Sequence, residues 1–368
     1  MKENNTANSF VSHLLNALPP SMKLSIMSWV VSKRYDAPGV VLPYSLGASP
    51  QILVILPPDE LAATHQAKSC LALATHFPNA KITVVCSPSV TPFFKALGPI
   101  QNFIEYDGNN DNPFSKELGN IGKTIHESQF DACVLLDPDP KLSLLYLCGK
   151  SSAPVRIGFA TSNASPFLNM QVKPSGKLQN CAERGLLVAS MLGASAPKKA
   201  KWGVSKEALA ELKLQFGEMK IDATKHLVGV DAFYFAEAFG FSWTKSLLDT
   251  IAQSRGSCYL YVNKEPSGKA KQWLAGLQLP VFSNLSAPRS AALVYVSSYI
   301  IAGATTFFQL ADILHKPVIG IFSNSQYDAY CTDSETTRGI RFDTVADERV
   351  IDAVKQNIDV LTLQIEAR

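Results

Sequence analysis

The stretch that decides the fold is Tyr299–Phe322, YIIAGATTFFQLADILHKPVIGIF. It reads as a short apolar strand, a small-residue turn at Gly303-Ala304-Thr305-Thr306, a helix, and a second apolar strand after Pro317. Strand, tight turn and helix in that order form one unit of a parallel α/β sheet. The turn also carries a functional expectation. A small-residue turn that opens a helix leaves backbone N–H groups unpaired at the positive end of the helix dipole. Thr305 and Thr306 add hydroxyl donors. Gly303, Ala304, Thr305 and Thr306 are therefore candidates to seat a phosphate of a nucleotide or nucleotide sugar. The same spelling also suits an ordinary strand–turn–helix junction that holds no ligand.

Working outward, the alternation continues on both sides. From Gln51 the pattern is strand Ile52–Leu56, helix Asp59–His76, strand Lys81–Cys86, helix Val90–Leu97 and strand Phe103–Tyr106. After the polar loop GNNDNP come helix Phe114–Glu127, strand Ala132–Leu136, helix Leu142–Cys148, strand Arg156–Phe159 and helix Ala182–Leu192. The stretch Ala194–Gly203, ASAPKKAKWG, has the composition of a linker. A charged amphipathic helix, Lys206–Met219, opens a second series. It is followed by strand Leu227–Val230, helix Trp243–Ser254, strand Tyr259–Val262, helix Ala270–Ala275, strand Val281–Phe282 and helix Pro288–Val296. Val345–Ala367 reads as a terminal helix, either whole or broken once. The expected architecture is α/β, two Rossmann-like domains joined near residue 200, with ligands held beyond the carboxyl ends of the strands in a cleft that the domains face. The expected boundaries are 1–50 for a helical extension, 51–195 and 204–345 for the two domains, and 346–368 for the terminal helix. In the extension, Phe10–Leu18 and Met22–Val31 read as short helices that cover the protein's own surface or touch a membrane surface.

Bulk properties narrow the function classes. A chain of 368 residues favours two domains over one. With 46% hydrophobic and 18% charged residues, each half can bury a core. A net charge of +3 gives no basic face for nucleic acid, and the small cluster Lys198, Lys199 and Lys201 suits a solvated linker. The seven cysteines are scattered with no CxxC pair, which reads as reduced core residues rather than a disulfide frame or a metal site. No apolar run approaches the ~20 residues of a membrane span. These features point to a cytoplasmic protein, with contact at the inner membrane face left open.

Four passages, in order, resemble glycosyltransferase family 9, the ADP-heptose:lipopolysaccharide heptosyltransferases. Phe77-Pro78-Asn79-Ala80-Lys81-Ile82 matches the family's F-P-x-A-x-I turn. FDACVLLD followed by APVRIGF matches its Y-D-x-V-I-D…R-I-G-F passage through Asp131, Arg156, Gly158 and Phe159. NCAERGLLVASMLGA matches its H-A-V-E-R helix through Glu183 and Arg184, and LADILHKPVIGIF matches L-A-A-A-L-G-T-P-V-V-A-L-F. The resemblance covers about residues 51–345. It implies the GT-B fold and transfer of a sugar from a nucleotide-diphosphate sugar to a lipopolysaccharide-like or other glycan acceptor, with no separate cofactor. The chemical motifs depart from the pattern. The family's glycine and catalytic aspartate fall on Leu61 and Ala62, its H-P-G turn on Val230-Asp231-Ala232, and its donor lysine near Phe241. Its D-S-G-P-M-H turn falls on Ala304–Gln309, where only Thr305 keeps a hydroxyl.

An inverting transfer needs a base for the acceptor hydroxyl, donors or cations for the departing diphosphate, and exclusion of water. Asp59 and Glu60 are the candidate bases, a short step before Ala62; both also suit the first turn of a helix. His65 lies one turn further on and is expected on the exposed face. Asp231 ends a strand where the family touches its donor, so it is a candidate for a ribose or sugar hydroxyl, or a helix cap. Glu237 and Lys245 lie nearby in sequence. Asp137-Pro138-Asp139 spells D-x-D but reads as a capping turn, so no metal is expected. Phe307-Phe308 brings bulk to the turn, with at least one ring in the core. These substitutions leave a second reading beside the transferase: a non-catalytic GT-B scaffold that binds a glycan, a nucleotide or a protein. A third, a nucleotide-sugar epimerase, would need more acids than Asp231.

Overall fold

The structure is a computed structural model that describes residues 18–34, 45–96, 98–100, 102–108, 111–176, 180–196, 204–221, 226–253, 256–262, 268–331, 334, 336–343 and 348–366. The chain forms two units. The first takes Met1–Lys95 and Pro99–Lys198, the second Ala96–Gly98 and Lys199–Arg368.

The first unit is built on a six-stranded sheet with every pairing parallel, in the order β3-β2-β1-β4-β5-β6. Its strands are β1 (Gln51–Ile55), β2 (Lys81–Cys86), β3 (Asn102–Glu105), β4 (Ala132–Leu135), β5 (Val155–Phe159) and β6 (Met170–Val172). Runs such as ILVI and ACVL are apolar on both faces because helices cover both sides of a parallel sheet. Leu53, Ile55, Cys133 and Leu135 form one core with Leu118, Ile125, Leu144 and Leu147 from the helices Lys116–Glu127 and Leu142–Lys150.

The second unit repeats the plan. Its sheet is also parallel throughout and runs β12-β11-β10-β7-β8-β9. The strands are β7 (His226–Val230), β8 (Gly256–Val262), β9 (Val281–Ser283), β10 (Tyr299–Ala302), β11 (Val318–Ser323) and β12 (Thr337–Phe342). Counted from its own first strand, each sheet has the order 3-2-1-4-5-6 of the Rossmann fold. An aromatic cluster anchors its core: Phe239 stacks on Trp243 with ring centroids 4.2 Å apart, and Phe342 meets Phe239 edge-on at 4.6 Å.

The α/β expectation holds element by element, with informative exceptions. The helix expected over Asp59–His76 is two, Glu60–His65 and Ala67–His76. Gln66 marks the break and sends its amide to the carbonyl of Cys181, 3.1 Å away, in the helix Cys181–Ser190. That helix carries Gly185 opposite Gln66, where a Cβ would collide with the amide. The helix Ala232–Phe239 is missed by periodicity because AFYFAEAF is apolar almost all round; Asp231 caps it and Gly240, at φ 89°, ends it. Strands β6 and β12 and the helix Asn324–Tyr330 are likewise additions. The terminal helix is unbroken over Glu348–Glu366. The helix expected over Met22–Val31 is Pro20–Arg34, with Met27 buried in the first core. Most of Phe10–Leu18, and Lys198, Lys199 and Lys201, lie outside the described residues.

The family-like residues have structural work. The Arg156 side chain is buried and donates to the carbonyls of Phe167 and Ala153, both at 2.8 Å. Asp131 accepts the Gln51 N–H at 2.7 Å, and Gly158 leaves room for Leu168 and Leu135. Among the described residues no helix is long and apolar enough to cross a membrane.

Candidate functional site

In each sheet the strand order reverses between the first and fourth strands, β1 and β4 in one unit, β7 and β10 in the other. Loops leaving neighbouring strands at such a point turn to opposite faces and leave a crevice at the carboxyl ends. Every site residue expected from the sequence leaves one of these four strands.

In the first unit the crevice is a cavity of about 230 Å³, lined by Pro57, Pro58, Asp59, Ala62 and Gln66 after β1, by Asp137–Asp139 and Lys141 after β4, and by Phe159, Cys181 and Arg184. Two larger grooves of this unit, about 770 and 690 Å³, lie beside His76 and Met191 and beside the helix Pro20–Arg34. Asp59 is exposed, and its carboxylate accepts the Ala62 N–H at 2.8 Å as the cap of Glu60–His65. Glu60 is exposed in the first turn and does not line the cavity; partial burial of its carboxyl, then the charge of Asp59, pushes its pKa up. His65 corrects the expectation of an exposed ring. It is buried, and its Nδ1 lies 2.7 Å from the Leu61 carbonyl oxygen.

Asp137 is the residue that sequence reasoning passed over. It is buried at the end of β4, and burial, reinforced by Asp139, pushes its pKa up against the pull of the Asp139 N–H and Lys141. The expected capping turn is only half right. Asp137 accepts the Asp139 N–H at 3.0 Å, but it is Asp111 that takes the Ser143 N–H, at 3.2 Å, in the first turn of Leu142–Lys150. Lys141 donates to the Gly108 carbonyl at 3.0 Å. The available signal was positional: an acid directly after a buried strand that borders the switch point.

In the second unit the crevice is filled from within. Asp231 is 1% exposed, and its carboxylate accepts the Thr305 hydroxyl at 2.7 Å and the Tyr234 N–H at 3.4 Å. Its pKa is pushed up to about 6, with burial as the main cause and the Thr305 and Tyr234 bonds opposing it. The Tyr234 ring lies flat on Gly303, where any Cβ would collide with it. The Tyr234 phenol donates to Gln326 Oε1 at 3.2 Å. Thr305 caps the helix Thr306–Ile313 without a side-chain cap bond, its hydroxyl being committed to Asp231. Thr306 is half-buried at the first position of that helix. Phe307 and Phe308 are both fully buried: Phe307 stacks on Tyr261 with centroids 4.0 Å apart, and Phe308 meets Phe322 edge-on at 4.9 Å. Neither ring reaches the turn from outside. The side chain that covers it is Tyr234, and its helix was not visible in the pattern. Glu237 and Lys245 are exposed. Phe241, near which the resemblance places the family's lysine, packs on Trp273 with centroids 5.0 Å apart.

The sites differ in what they can do. The first offers carboxylates, a guanidinium and an amide around a small space, a set that suits hydroxyl groups. The second offers a turn whose Thr305 hydroxyl already has a partner, beside a buried acid.

No family profile matches the chain, and no curated protein matches it. Solved structures do. ADP-heptose lipopolysaccharide heptosyltransferase II of E. coli superposes with a TM-score of 0.66 at 16% identity, covering 86% of this chain and 99% of that one. A family 9 glycosyl transferase from Veillonella parvula gives 0.65 at 14% identity over 83% and 89% of the two chains. The E. coli heptosyltransferase WaaC with ADP gives 0.61 at 17% identity over 84% and 99%. The chain therefore has the α/β GT-B fold of the heptosyltransferases. At these identities the likeness is one of fold.

Proposed function

We propose that this chain is a glycosyltransferase-type protein of heptosyltransferase architecture that recognises a hydroxyl-rich sugar or glycan through the first unit and does not transfer sugar from a nucleotide diphosphate. The observation that carries this reading is the turn after β10. The Tyr234 ring packs against Gly303 and the Thr305 hydroxyl is engaged by Asp231, so a diphosphate meets a ring and a buried acid where the family-like turn would offer donors. Ala62 and Phe241 support it, since neither carries the base or the cation that the resemblance calls for. The cavity of about 230 Å³ lies below the ~300–1,000 Å³ of drug-sized ligand sites and suits a single sugar ring. Calorimetric titration with free heptose and other monosaccharides is the test. Heat of binding that disappears in Arg184→Ala is expected; no binding of any sugar would contradict the reading.

The buried acid of the first unit favours a second reading, an inverting, metal-independent transferase. Asp59 or Asp137 would then accept the proton of an acceptor hydroxyl as its oxygen attacks the anomeric carbon and the nucleoside diphosphate leaves. The raised pKa of Asp137 is the direction such a base requires. On this reading the donor is a nucleotide sugar, and the acceptor is a lipopolysaccharide-like or other glycan at the cytoplasmic membrane face. Release of ADP from ADP-heptose that is lost in Asp59→Asn or Asp137→Asn would establish it over the first.

A further inference from the structure

The carboxyl-end loops of the second unit are tied together by one side chain. Tyr234 leaves the first turn of the helix that follows β7. Its ring packs on Gly303 in the turn after β10, and its hydroxyl donates to Gln326 in the helix after β11. Gln326 is held in its turn: its Oε1 accepts the Ser323 N–H at 3.2 Å, and its N–H donates to Ser323 Oγ at 3.4 Å, a complete capping box. The loops after three strands therefore converge on one phenol. Everything beneath the ring retains the strand–turn–helix geometry. Gly303 continues β10, Thr305 caps Thr306–Ile313, and the Asp231 N–H is bonded to the Ile301 carbonyl at 3.0 Å.

We infer that Tyr234 is an autoinhibitory strap: this single side chain, and not the backbone under it, closes the turn Gly303–Thr306 to a nucleoside diphosphate. The inference rests on the reading that the turn is closed in the wild-type chain, and it adds that the closure belongs to one residue. The physical argument is occupancy. The Tyr234 ring stands against Gly303, in the space beside the turn that an oxyanion would have to enter. Truncating the ring removes the obstacle. Replacing Tyr234 by Phe leaves the ring in place and removes only its bond to Gln326.

The test compares wild type, Tyr234→Phe and Tyr234→Ala as full chains, with folding checked by circular dichroism. Calorimetric titration with ADP is expected to show an affinity gain of about tenfold or more in Tyr234→Ala over wild type, with Tyr234→Phe close to wild type. A folded Tyr234→Ala chain with no gain for ADP overturns the strap, as does a wild-type chain that binds ADP as tightly as Tyr234→Ala. Should Tyr234→Ala not fold, Tyr234→Leu, which removes the ring and keeps apolar bulk, decides by the same titration, and no gain for ADP in that variant overturns the inference. The proposed function fails separately, through sugar transfer by the wild-type chain.

Discussion

Asp231 is where the chemistry of single residues is most directly measurable. Its carboxyl is buried and its pKa lies near 6, above the 3.8 of an exposed aspartate. The unfolded chain therefore loses this proton before the folded chain does as pH rises. Asp231 is not a burden below pH 4. Its contribution to stability then falls as pH climbs from about 4 to 6, by up to ~3 kcal/mol. Asp231→Asn keeps an acceptor for the Tyr234 N–H and cannot ionise. The unfolding free energy of wild type relative to this variant, measured in urea, is expected to drop across that window; a difference that does not change with pH would show that Asp231 titrates as an exposed acid. Gly303 gives a second residue-scale expectation. The sequence suggested that a small residue here admits a phosphate, whereas the structure uses the space for the Tyr234 ring. Gly303→Ala should cost about 1–3 kcal/mol by overpacking, and Tyr234→Ala in the same chain should recover much of that loss. Failure of the pair to couple would separate the ring from the glycine.

At the scale of elements, the strands were legible and some helices were not. Buried parallel strands announce themselves as apolar runs between turn residues, and β1, β2, β4, β7, β8, β10 and β11 all lie where those runs fall. The helix Ala232–Phe239 has no polar stripe for a period to reveal, and with it Tyr234 went unseen. The three-residue strand β6 is too short to show alternation. Asp59 was legible as a first-turn residue and is a cap in fact. Asp59→Ala should therefore cost about 1 kcal/mol in urea unfolding through the loss of its bond to Ala62, whatever else it does. At least one ring of Phe307-Phe308 was expected in the core, and both are there because Tyr261 and Phe322 receive them. Phe308→Ala should lower stability by about 3–5 kcal/mol; a loss under ~1 kcal/mol would mean that the ring is not packed as described.

At the scale of the whole molecule, the passages that resemble family 9 coincide with what the fold needs, and the departures fall where the resemblance places the chemistry. Arg156, Asp131 and Gly158 staple and pack the first sheet. Ala62, Phe241 and the Tyr234-covered turn fall at or near the positions that the resemblance gives to base, cation and diphosphate seat. A sequence can keep a fold through its packing residues while its functional positions drift, because stability and chemistry are set by different side chains. For that reason the architecture was readable from pattern alone, and the state of the second site required coordinates. The most direct measurement of the central claim is turnover of ADP-heptose by the wild-type chain, followed as released ADP with a glycan acceptor present. The account predicts release no faster than in the absence of protein. Release above that background, abolished by Asp59→Asn or Asp137→Asn, would contradict it.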